Sequence, residues 1–162
     1  MSTTSPVGRR AGDVTNLGAV WAFDVDGTLI GSIRSDVLRP GASDLLQALG
    51  SAGQRCVLWS AGGADYAQRM AARHGIENQF VAFYAKDVRD ADGKYVTDHF
   101  EIEHRPDVFV DDSTIDLRDD HHTIAVPQFI GGNRSDAGLI DLLRSLDDIM
   151  VTIHTTGATH DD

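Results

Sequence analysis

Asp24-Val25-Asp26-Gly27-Thr28 constrains this chain more than any other stretch, because it closes the apolar run Ala19-Val20-Trp21-Ala22-Phe23. An apolar run without alternation reads as a strand buried on both faces of a parallel sheet. Carboxylates at its end fall where open α/β sheets bind their ligands. Asp24 and Asp26 share a side if the extended backbone persists. Gly27 permits a sharp turn and close approach to a ligand, and Thr28 adds a hydroxyl. Two carboxylates held this close repel, so the pair asks for a cation or a proton. A calcium loop needs glycine at its sixth position and glutamate at its twelfth; here glycine stands fourth and Ser35 twelfth. The plain alternative is an acidic turn with no chemistry.

With 162 residues the expectation is one domain. The formal net charge of −11 argues against a long nucleic-acid footprint, which needs clustered Lys and Arg. An acidic site that recruits a divalent cation agrees better with it. The single cysteine, Cys56, lies in an apolar strand pattern and reads as packing. No apolar run reaches the length of a membrane span, and Arg9-Arg10 is not followed by an export segment. The expected location is therefore cytoplasmic. The scattered histidines contain no helical zinc-binding pair.

Taken in order, residues 1–16 read as a mobile arm, 17–150 as the folded domain and 151–162 as a tail. Arg39-Pro40-Gly41 punctuates the chain before a helix carrying Leu45, Leu46 and Leu49 inward. Arg55-Cys56-Val57-Leu58-Trp59-Ser60 is a second buried strand. The turn Ala61-Gly62-Gly63 leads to a helix from about Ala64 to His74. Phe80 to Ala85 is a third strand, ending at Lys86. Asp90-Ala91-Asp92-Gly93-Lys94 has turn chemistry, so Val88 to Ile102 reads as a hairpin or irregular excursion. Asp107 to Val110 is a fourth strand, ending at Asp111-Asp112, and Thr123 to Val126 a fifth. One final helix, capped by Ser135, carries Leu139, Ile140, Leu142, Leu143 and Leu146. Strands alternating with helices predict an α/β, three-layer, Rossmann-like parallel sheet with helices on both faces. On that reading Asp24, Asp26, Ser60, Lys86, Asp111 and Asp112 share one address, the C-terminal ends of strands.

These residues, in this order, resemble the motifs of the haloacid dehalogenase superfamily of phosphotransferases. Asp24-Val25-Asp26-Gly27-Thr28 is similar to its first motif, Ser60 to its second, and Asp111-Asp112 to its fourth. The resemblance spans about Val20 to Leu146. It implies a magnesium-dependent phosphatase acting through an aspartyl-phosphate. Asp24 would be the nucleophile and Asp26 the general acid and base. Ser60 would donate to a phosphoryl oxygen, and Gly27, Thr28, Ala61 and Gly62 would line the phosphate. Asp24, the backbone carbonyl of Asp26 and Asp111 would hold Mg2+, with Asp112 either a further ligand or joined to it through water. The third motif needs a cation, for which Lys86 is preferred to Arg105. Neither the gap from Ile30 to Pro40 nor that from Lys86 to Pro106 has room for the cap domain many relatives carry. No cap domain is therefore expected, and the site should be open. The expected substrate is a small phosphorylated molecule or an exposed phosphate on a macromolecule, with nucleic acid disfavoured by charge. The competing reading is a catalytically inactive binding or scaffold protein on the same fold. A phosphorylation-receiver domain also combines acidic residues, a hydroxyl and a lysine, but in a different chain order.

Overall fold

The computed structural model describes residues 18–34, 36–118 and 122–157. The expected N-terminal arm lies outside them. Five strands form one parallel sheet: β1 (Val20–Asp24), β2 (Arg55–Ser60), β3 (Ala82–Ala85), β4 (Val108–Asp111) and β5 (His122–Ala125). Their order is β3-β2-β1-β4-β5, with the first strand in the centre. Every residue of β1 is buried, as a strand covered on both faces requires. The chain builds outward from β1 to β2 and β3, then returns to the other side of β1 for β4 and β5. The direction of travel therefore reverses between β1 and β4, and a crevice opens there at the carboxyl ends of the strands.

The two faces of the sheet are covered differently. Helices α1 (Ala42–Ser51) and α2 (Ala64–Arg73) pack against Trp21, Phe23, Cys56 and Leu58. Helices α3 (Gly138–Arg144) and α4 (Leu146–Gly157) join the same larger core through Leu139, Leu142 and Leu146. The opposite face carries Val20, Ala22, Val57, Trp59 and Phe109. Phe100, Leu117 and Tyr95 cover it, all from the connections after β3 and β4. Its helical content among the described residues is one 3-10 turn, Ile102–His104, whose His104 ring meets Tyr84. Right-handed crossovers explain the division: connections leading toward β3 and those leading toward β5 must pass on opposite faces. The expected three layers are present, but the second outer layer is mostly irregular chain rather than α-helix.

Two differences concern the C-terminal third. The single final helix is two, parted at Ser145, whose N–H is shared between the Asp141 and Leu142 carbonyls. Ser135 does not cap it. Helix α3 begins at Gly138 without a side-chain cap, while the Ser135 N–H donates to Asn133 Oδ1. The expected tail from residue 151 is helical as far as Gly157, with Ile153 packed against the core. No described helix is long and apolar enough to cross a membrane. Cys56 is buried, and burial pushes its thiol up to about 12, as a packing role implies. The excursion after β3 turns at Asp90–Gly93, where Asp90 Oδ1 accepts from the Asp92 and Lys94 N–H groups.

Candidate active site

Strand register brings the expected residues to one edge. Asp24 ends β1, Ser60 ends β2, Lys86 follows β3 and Asp111 ends β4. The Lys86 N–H donates to the Ser60 carbonyl, which extends the β2–β3 pairing by one residue and fixes where the lysine leaves the sheet. Its Nζ lies 2.8 Å from Asp24 Oδ1 and 2.8 Å from Asp111 Oδ2, bridging the crevice between β1 and β4. The ammonium also sits 4.8 Å from the centre of the Trp59 ring and 5.7 Å from that of Tyr95. Aromatic faces attract a cation, so the irregular second layer helps hold the lysine against the site. Arg105 is exposed, precedes β4 at the opposite end of the strands, and donates to the Asp98 carbonyl.

The tight turn after β1 places Thr28 beneath the carboxylates. Thr28 Oγ1 lies 3.1 Å from Asp24 Oδ2 and 3.0 Å from Asp112 Oδ1, and accepts from the Asp112 N–H. Its one proton serves one carboxylate at a time. Gly27 has φ 82°, and a Cβ there would come within 2.5 Å of Asp112 Oδ2. The turn therefore needs glycine both for its backbone and for the approach of Asp112. Asp111 Oδ1 accepts from the Ser113 N–H.

Carboxylate oxygens of Asp24, Asp111 and Asp112 all lie within 4.8 Å of one another. Three hard oxygen donors facing one ammonium keep a net negative charge, so this set fits a hard divalent cation. Burial raises the Asp24 carboxyl to about 7 against the pull of Lys86, and the Asp111 charge adds to the rise. Burial likewise lifts Asp111 above the usual carboxylate range. Burial also opposes the charge on Lys86, but Asp24 and Asp111 outweigh it and hold the lysine above its ordinary value. A cation among the three oxygens would favour the ionised carboxylates.

Asp26 stands apart. Its side chain is exposed and outside the trio, and its Oδ1 accepts a 2.8 Å hydrogen bond from the Tyr66 hydroxyl. Tyr66 itself is raised to about 12, by burial first and then by Asp26, so it remains a donor. The Ser60 hydroxyl accepts from the Gly62 N–H at 3.0 Å, which commits that amide to the turn rather than to a ligand. Ala61 is exposed beside it.

Sequence reasoning missed Arg39. It is 1% exposed, paired with Asp136 at 2.6 Å and 3.1 Å, and donates to the carbonyls of Thr28 and Pro127. It thus ties the turn after β1 to the loop after β5. In the sequence it stands before Pro40-Gly41 and looks like turn punctuation; nothing local marks it as buried.

A family model described as "NLI interacting factor-like phosphatase" matches residues 21–155. No curated protein matches the chain. A solved structure, an uncharacterized protein from Listeria monocytogenes serotype 4b, superposes with a TM-score of 0.58 at 14% identity. The match covers 83% of this chain and 99% of that one. At that identity the likeness speaks for the fold alone.

Proposed function

The chain belongs to the NLI interacting factor-like phosphatase family, and from that premise we propose that it hydrolyses phosphomonoesters through a phosphoryl group carried on Asp24. The observation that carries this reading is the convergence of Asp24, Lys86 and Asp111 at the switch point of the sheet, with Nζ 2.8 Å from both carboxylates.

In the first half-reaction a carboxylate oxygen of Asp24 bonds to phosphorus and the bond to the leaving oxygen breaks. Asp26 gives its proton to that oxygen. In the second, water attacks phosphorus, Asp26 takes a proton from it, and the bond to Asp24 breaks to release inorganic phosphate. Lys86 holds Asp24 in place and offers charge to the phosphoryl oxygens. Ser60 accepts the Gly62 N–H on one lone pair and keeps its proton to donate toward the same oxygens. Asp24, Asp111, Asp112 and the Asp26 carbonyl would hold magnesium. When bound, it would neutralise charge on nucleophile and substrate together.

The substrate class in this reading is a phosphorylated small molecule or an exposed phosphate on a macromolecule, met in the cytoplasm. The test is release of inorganic phosphate from an aryl phosphate by the purified protein, with magnesium added and then chelated. Release that stops on chelation and returns on re-addition supports the proposal. No release under any condition returns the chain to the non-catalytic reading.

A further inference from the structure

General acid–base chemistry at an exposed carboxylate raises a problem of placement. Asp26 lies on the turn after β1, outside the cluster that Lys86 organises. An exposed carboxylate samples several rotamers, and proton transfer needs one oxygen within hydrogen-bond reach of the leaving group. Tyr66, on the first turn of α2, supplies a restraint: its hydroxyl donates to Asp26 Oδ1 at 2.8 Å, across 40 positions of sequence. Its ring is packed against the larger core and is not a free surface group.

The turn after β2 is shaped to admit that ring. A Cβ on Gly62 would meet Tyr66 Cδ1 at 2.8 Å. The Gly62 backbone is held in turn by Ser60 Oγ. One short segment therefore carries the phosphate-facing hydroxyl, the glycine that clears space, and the phenol that reaches Asp26.

The choice of a phenol is informative. Asp26, Asp36 and Asp24 are the charges that bear on it. A neutral donor fixes one oxygen and leaves the other to handle the proton.

We propose that Tyr66 is a positioning residue for Asp26, holding Oδ1 so that the second carboxylate oxygen faces the leaving group. This rests on the phosphatase reading above. The role is confined to steps in which Asp26 moves a proton, so it is felt most where the leaving group is poor.

The experiment compares wild type, Tyr66→Phe, Asp26→Asn and the double variant on a series of aryl phosphates of rising leaving-group pKa. With the best leaving group, kcat/KM of Tyr66→Phe should stay within about twofold of wild type. With the poorest it should fall by about tenfold, a fraction of the factor general acid catalysis typically supplies. The dependence on leaving-group pKa should steepen in Tyr66→Phe, steepen further in Asp26→Asn, and be the same in the double variant as in Asp26→Asn. An equal loss across the series, no loss, or a further loss in the double variant would overturn the role. If wild type hydrolyses none of the esters, the phosphatase reading itself fails, a result distinct from an active wild type indifferent to Tyr66→Phe.

Discussion

Lys86 serves three surfaces at once: two carboxylates at 2.8 Å and the face of Trp59. Of the two cations that the sequence offered for the third motif, it is the one that contacts Asp24 and Asp111. Removing it leaves Asp24 and Asp111 facing each other with no positive charge between them and, in the proposed reaction, takes a fixed charge away from the phosphoryl oxygens. We expect Lys86→Ala to lower turnover on the order of 10²–10³, the size typical of one preorganised donor. Arg105→Ala, on an exposed side chain whose hydrogen bond goes to the Asp98 carbonyl, should leave turnover unchanged. Steady-state rates on folded proteins check this, and the opposite ranking would move the role to Arg105. At this scale the site was legible where its chemistry is local. Asp24, Asp26, Gly27 and Thr28 are adjacent in sequence, and Ser60, Lys86 and Asp111 announce themselves by ending apolar strands. Tyr66 was not legible as a partner of Asp26, because the pair exists only once α2 has docked beside the turn after β1.

Between elements, the loop after β1 is held from below by Arg39. The guanidinium reaches Asp136, Pro127 and Thr28, with the Phe129 ring at 5.5 Å. Gly138 opens α3 beside it, since a Cβ there would fall within 2.3 Å of Nη2. Truncating one partner of a buried ion pair leaves the other charge uncompensated. Arg39→Ala should therefore lower the unfolding free energy by about 3–5 kcal/mol, read from the denaturant midpoint. A loss below about 1 kcal/mol, the size of an exposed pair, would contradict the clamp. The three inner strands and the first two helices were legible because each buries a clear apolar pattern. The break at Ser145 was not, since Leu139, Leu142 and Leu146 keep the same face buried on both sides of it. The covering of the second face was equally hidden. Tyr95, Phe100 and Leu117 sit in segments with no period, and long-range packing alone recruits them.

The whole molecule presents an acidic chain, of net charge −11, built around an acidic crevice. Its topology puts that crevice at the one place where the direction of chain travel reverses, between β1 and β4. The fold class follows from the strand–helix alternation, and membership in the phosphatase family agrees with it. Substrate identity has no such signature, because it depends on the surface around the crevice rather than on strand ends. The central claim is that Asp24 carries the phosphoryl group. It is tested most directly by acid-quenching the protein during turnover of a phosphate-radiolabelled ester, in magnesium, and mapping the label by peptide. The expected result is a label on the peptide containing Asp24, released by hydroxylamine as an acyl phosphate is, and no label in Asp24→Asn. Turnover with no covalent label, or an Asp24→Asn variant that is labelled and active like wild type, would contradict it.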